Sequence, residues 1–131
     1  MIEGPGGYRL RLVRTGAETG GELLEMEATW DGSGGMPPEH LHPSQEERFE
    51  VLEGAVLTIV DGVEGRHAAG ETLTVPAGTP HQMTGDGPAR VRWEVRPALR
   101  TAEFFERLYS GDAGLELLEE FSAEIRITSL G

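Results

Sequence analysis

His40-Leu41-His42 places two imidazoles two residues apart, one residue after Pro37-Pro38. Two prolines forbid helix at that point and favour an extended chain. In a strand, residues i and i+2 face the same side, with α-carbons about 6–7 Å apart. Two neutral imidazoles converging in this way suit a borderline divalent metal such as Zn, Fe, Ni or Cu. Glu47, on the next strand-like segment, offers a carboxylate oxygen from the same sheet. His81 follows the Gly78-Thr79-Pro80 turn and opens a later strand, with Met83 on its face. Three imidazoles and one carboxylate would fill four positions of an octahedron. The remaining positions would be open to water, dioxygen or substrate, which marks a reactive metal rather than a closed structural one.

Taken singly, none of these residues says so much. A lone His-x-His on a strand is more often a solvated pair than a site, and Glu46-Glu47-Arg48 alone reads as a solvated charge run. Glu46 competes with Glu47 for the carboxylate role. His67, in Gly65-Arg66-His67-Ala68, stands apart from the others and is expected at the surface.

The elements that must position these groups read as short strands divided by Gly, Pro and Asp-Gly signals. Tyr8 to Thr15 alternates Tyr8, Leu10 and Leu12 with Arg9 and Arg11. Glu22 to Trp30 sets Leu24, Met26 and Ala28 against Glu25 and Glu27. Ala55 to Val60 is β-branched and apolar, and Asp61-Gly62 after it signals a hairpin. Glu71 to Val75 and Ala89 to Arg96 complete the set, the latter alternating Val91, Trp93 and Val95 with Arg92, Glu94 and Arg96. From Thr101 the period changes to a helical one. Phe104, Phe105, Leu108 and Tyr109, then Leu115, Leu117, Leu118 and Phe121, predict two short helices, with a last strand over 124–128. The apolar face of this tail either covers the barrel or meets a partner chain.

Composition bounds the partners. The chain has 131 residues, with 23 acidic against 11 basic side chains and a formal charge of -12. That balance disfavours nucleic acid and anionic lipid, both of which need clustered basic groups. The apolar fraction of 37% supports a core once 19 Gly and 8 Pro are counted as turn material. With no Cys, any metal must be held by His and carboxylate. No apolar run approaches the ~20 residues of a membrane span, and Met1 to Gly7 has no leader character, so a cytoplasmic location is expected.

Gly34-x5-His40-x-His42-x4-Glu47-x6-Gly54 resembles the first motif of the cupin family with its spacing intact. Gly70-x5-Pro76-x-Gly78-x2-His81 resembles the second. The distance to Gly54 favours Glu47 over Glu46. One departure is that Gly85 occupies a position where the family usually has Asn. The resemblance implies an all-β fold, a double-stranded β-helix or jelly-roll barrel, with a short C-terminal helical tail. It would form one domain across 1–131, with the barrel over about 8–97 and the tail over about 101–121. It also implies metal ligands His40, His42, Glu47 and His81, the four that strand geometry had reached.

Phe49, Met83 and Trp93, with Val51, Val91 and Val95, are candidates to line an apolar pocket, each equally able to be plain core. Trp93 is the first choice to face a ligand, because indole offers area and a donor. Gln45, Gln82 and Arg48 are candidates to support the ligands. Small cupins of this kind are similar to ring-opening dioxygenases. The expected function is a metal-dependent dioxygenase or related oxidoreductase acting on a small organic substrate, iron leading over Zn, Ni, Mn and Cu. Glu47 could also shuttle a proton, since no other side chain of the motifs stands out as a base. The alternatives are a non-redox Zn or Ni isomerase, cyclase or hydrolase, and a non-enzymatic binding protein. A homodimer is implied by the resemblance. Binding requires neutral imidazoles, so metal occupancy is expected to fall as pH drops through about 6 to 5.

Overall fold

Alternation of apolar and charged residues along the strands dictates two sheets with a shared interior. The computed structural model describes residues 1–111 and 114–129. One sheet carries six strands in the order β1 (Ile2–Glu3), β2 (Arg9–Arg14), β3 (Leu24–Trp30), β10 (Ala89–Arg96), β5 (Glu46–Glu53) and β8 (Thr72–Val75). The other carries five, in the order β11 (Arg126–Ser129), β4 (Glu39–Leu41), β9 (His81–Gly85), β6 (Ala55–Val60) and β7 (Val63–Ala68). All pairings are antiparallel. The expected jelly roll with a C-terminal helical tail is what the chain forms. Strands β1 and β11 lie outside residues 8–97 and still pair into the two sheets.

The pleat sorts side chains between interior and solvent. On β10, Ala89, Val91, Trp93 and Val95 are buried, and Arg90, Arg92, Glu94 and Arg96 are not. On β5 the buried set is Glu47, Phe49 and Val51, while Glu46 is exposed. The outward face of this sheet is a cross-strand ladder of opposite charges. Arg90 reaches Glu27 at 2.6 Å and Glu53 at 3.0 Å, Arg92 reaches Glu50 at 3.0 Å, and Arg14 reaches Glu25 at 2.7 Å. Each such pair contributes little to stability. Their effect on the site is to hold these arginines on the outside of the barrel.

Two turns show why glycine stands where it does. Asp61 and Gly62 both have positive φ (51° and 78°), the conformation of the tight hairpin linking β6 to β7. Gly54 has φ 69°, and a Cβ there would lie 2.2 Å from the Pro88 carbonyl oxygen. Gly54 thus lets the β5–β6 corner pass under the loop that leads into β10.

Helices α1 (Thr101–Tyr109) and α2 (Leu115–Glu120) follow β10. Phe104, Phe105 and Leu117 are buried in the core, and Phe121, just past α2, is fully buried. Its ring meets Phe104 edge-on at 5.5 Å and carries the Arg100 guanidinium 4.4 Å from its centroid. Gln45 is a latch for α1. Its amide donates to the carbonyls of Pro97 and Ala98 and to the Thr101 hydroxyl, at 2.8–3.1 Å. The chain then returns as β11 alongside β4, with Ile127 opposite His40. The tail therefore packs its Phe104, Phe105, Leu117 and Phe121 into the barrel core.

Candidate metal centre and its cavity

The cluster is assembled from both sheets. His40 lies in β4 and is the cross-strand partner of His81, the first residue of β9. His42 lies one residue past β4, and its ring is still directed at the others. The three rings sit 4.5–5.4 Å apart, centroid to centroid. One ligand atom from each of His40, His42 and His81 falls within 4.8 Å of the other two, a spacing that could hold a metal ion. Glu47 does not come from the same sheet, as expected, but from β5 in the other one, where it pairs with Val75 and Val95, and it reaches the histidines across the interior. Its Oε1 is 2.7 Å from His81 Nε2 and 3.2 Å from His42 Nε2. His42, Glu47 and His81 are 2%, 1% and 4% exposed, so these groups are out of water.

The backbone orients all three imidazoles in one way. His40 Nδ1 is 3.1 Å from the Pro38 carbonyl oxygen, His42 Nδ1 is 2.7 Å from that of Glu124, and His81 Nδ1 is 2.8 Å from that of Thr79. A carbonyl only accepts, so each Nδ1 carries a proton, and in the neutral ring Nε2 is left as a lone pair. The same arrangement fixes the tautomer of metal-binding histidines. His42 Nε2 and Glu47 Oε1 are buried without a hydrogen bond to any protein group. Electron-rich atoms facing one another with no donor between them are unfavourable unless a cation lies among them. By that test the residues fit a metal ion with three nitrogen donors and one oxygen.

Without a metal ion, a proton held between Glu47 and its imidazole neighbours relieves the same crowding of lone pairs. Burial opposes the charge on Glu47, but the imidazoles of His42 and His81 outweigh it and hold the carboxyl well below its usual range. Burial also pulls His42 down, yet the Glu47 carboxylate raises it overall. His40 is lowered to about 4, first by burial and then by the charges of His81 and His42. His40 is therefore a neutral donor at ordinary pH.

Glu47 has a partner that sequence reasoning did not identify. Trp93 Nε1–H donates to Glu47 Oε2 at 2.8 Å, and both groups are buried. A charge-assisted bond of this kind fixes the carboxylate and leaves Oε1 for the histidines. The indole stacks on Phe49 at 5.4 Å and meets Phe105 of α1 edge-on at the same distance. Trp93 thus faces the cavity, but its donor is already taken by Glu47.

A cavity of about 990 Å³ opens from the cluster and is lined by His40, Glu47 and His81 together with Phe49, Met83 and Trp93. Val51, Val91 and Val95 are not on its wall; they pack in the core. The tail contributes Phe104, Phe105, Leu108 and Tyr109 of α1, and β11 contributes Ile127. The supporting roles are filled differently from expectation. Gln45 latches α1, Gln82 holds the loop before His40 through the Pro37 carbonyl at 2.8 Å, and Arg48 pairs with Glu94 on the outer face. His67 is half-buried on β7 with Glu71 3.6 Å away, outside the cluster. Gly85 also has a reason. A Cβ there would come within 2.7 Å of the Trp30 side chain, so Trp30 occupies the space a larger residue would need.

Comparison with known proteins places these features in context. Residues 27–95 match the family described as Cupin domain. A segment of 75 residues is 31% identical to quercetin 2,3-dioxygenase of Bacillus subtilis (strain 168), covering 57% of this chain and 22% of that protein. The match thus spans about a fifth of the relative's length. Among solved structures, an RmlC-like cupin from Shewanella frigidimarina NCIMB 400 aligns with a TM-score of 0.66 at 23% identity, covering 78% of this chain and 87% of that one. KdgF from Halomonas sp. aligns with a TM-score of 0.65 at 20% identity, covering 74% and 84%. At such identities the two structures share the fold. Among the described residues, no helix is long and apolar enough to cross a membrane.

Proposed function

Because the chain belongs to the Cupin domain family, we propose that it holds a divalent transition metal, iron first, on His40, His42, Glu47 and His81. The activity proposed is that of a dioxygenase or related oxidoreductase acting on a small organic substrate. One observation carries this reading: three imidazoles with Nδ1 committed to carbonyls turn their lone pairs, with Glu47 Oε1, toward one point beside a large cavity. Such a metal supplies Lewis acidity and, for iron, one-electron chemistry toward dioxygen or a bound oxygen donor. The protein's own part is positional. Trp93 occupies Glu47 Oε2, so Oε1 is the oxygen left for the metal, and Glu47 would take a proton from substrate there only on detaching from it. Phe49, Phe105 and Met83 keep the adjoining space apolar and exclude water. The similarity to quercetin 2,3-dioxygenase supports the redox arm, although it covers only a part of that protein.

The test is elemental analysis of protein purified without added metal, followed by oxygen uptake with a panel of catechols and diketones. Iron in at least half of the molecules, together with substrate-dependent oxygen consumption, is the expected result. Zinc or nickel with turnover indifferent to oxygen would replace this reading with a non-redox isomerase, cyclase or hydrolase. Metal without turnover of any kind would leave a binding protein. The homodimer is proposed from the family resemblance alone, and sedimentation of the purified chain checks it.

A second expected result concerns the indole. Trp93→Phe removes the donor to Glu47 Oε2 while keeping an aromatic ring between Phe49 and Phe105. Loss of such an outer partner typically weakens metal binding by about 10–100-fold. Chelator competition measures it, with circular dichroism to show that the barrel persists. An unchanged affinity would mean that Glu47 is fixed by its histidine neighbours alone.

A further inference from the structure

The wall of the cavity carries a second polar patch that the metal site does not use. Tyr8, which leads into β2, and Tyr109, the last residue of α1, both line the cavity with ring centroids 5.9 Å apart. Tyr8 also packs on Trp30 at 5.5 Å. Neither phenol hydroxyl makes a hydrogen bond with a protein group among the described residues. Both tyrosines are half-buried on the cavity wall, so hydroxyls with no protein acceptor are donors open to a bound molecule.

We propose that the cavity receives a neutral aromatic molecule of two or more rings, which presents an oxygen donor to the His–Glu cluster and a hydrogen-bond acceptor to Tyr8 or Tyr109. This rests on the reading of that cluster as the metal centre. Size is the first argument. A volume of about 990 Å³ lies at the top of the range for sites that enclose drug-sized ligands, and a single ring would leave most of it unfilled.

Ring chemistry is the second argument. Trp30, Phe49, Phe105, Tyr8 and Tyr109 offer faces and edges for offset or edge-on contact with a flat ligand. Charge is the third. No Arg lines the cavity among the described residues, and the chain has no Lys. The strand arginines are committed to the outward ladder. Away from the cluster, a carboxylate or phosphate on the ligand would lie unpaired in an apolar space, inside a chain of net charge -12. Burial raises both phenols above their ordinary range, and the Glu47 charge adds to this at Tyr8. Both hydroxyls therefore remain protonated donors.

The test is calorimetric titration of the full chain with four probes, metal content being measured on the same sample. 6-Acetyl-2-naphthol carries both a hydroxyl and an acceptor on two rings. 2-Naphthol lacks the acceptor, catechol lacks the second ring, and 6-hydroxy-2-naphthoate is an anion. The acetyl compound is expected to bind at least about 10-fold more tightly than catechol or the naphthoate. Tyr8→Phe with Tyr109→Phe should then weaken it by about 5–10-fold, the worth of one or two hydrogen bonds, and leave 2-naphthol unchanged. Equal or tighter binding of the anion or of catechol would overturn the proposal, as would equal losses for both naphthols. Absence of metal in the sample would refute the metal reading separately, because the order of the four probes still judges the cavity.

Discussion

His81→Ala is expected to abolish metal binding and leave the barrel folded. His81 opens β9, where its backbone pairs with both His40 and Val60, and neither pairing depends on the imidazole. Its side chain supplies the Nε2 nearest to Glu47 Oε1, at 2.7 Å. Without it the cluster keeps two histidines and a carboxylate, and affinity should fall by more than the ~100-fold that marks the upper end for outer partners. Chelator competition and elemental analysis read the loss. A second signature follows from linkage. A metal that binds only the native state adds RT ln(1 + [M]/Kd), about 2.7 kcal/mol when it is present at a hundred times its Kd. Added metal should therefore raise the unfolding temperature of the wild-type chain and not that of His81→Ala. Equal metal content in the two proteins would show the ligand set to be wrong.

Phe121→Ala carries the largest expected effect on stability. The ring is fully buried, packed on Phe104 and covered by the Arg100 guanidinium. Truncating a buried Phe costs about 3–5 kcal/mol through lost transfer energy and the cavity left behind. A domain of this length has roughly 5–15 kcal/mol to lose, so the melting temperature should fall by about 10–20 °C. The damage should also reach the metal site. Phe121 fastens the turn that leads to Glu124, whose carbonyl accepts from His42 Nδ1, and to β11, which pairs with the His40 strand. Metal affinity should therefore decrease in the same variant, although Phe121 touches no ligand. A melting temperature within a few degrees of the wild-type value would show that the tail contributes little to the barrel.

These two residues illustrate how unevenly the sequence discloses the molecule. His81 was legible because a strand start, a preceding turn and the spacing to Gly70 and Pro76 all pointed to it. Glu47 was separable from Glu46 only by its motif distance to Gly54, and the pleat of β5 buries the one and exposes the other. The helical period of Phe104, Phe105, Leu108 and Tyr109 was equally plain, but the period of a helix does not reveal what its apolar face touches. The structure places that face on the wall of the cavity. Trp93 was expected to offer its donor to a ligand. Its indole instead meets a carboxylate 46 residues away in sequence, a pairing set by the register between β5 and β10.

The sequence by itself determined the strand and helix texture, the ligand candidates and the exclusion of thiolate ligands. These are properties of residue type and short spacing, and backbone geometry within one element converts them directly into faces and turns. Tertiary structure alone decided that Glu124 and Trp93 support the cluster, that the tail lines the cavity and that the arginines stay outside it. Each of those facts is a contact between segments far apart in the chain. Local periodicity fixes which side chains leave an element on the same side. Only the packing of one sheet against the other, and of the tail over both, fixes what they meet.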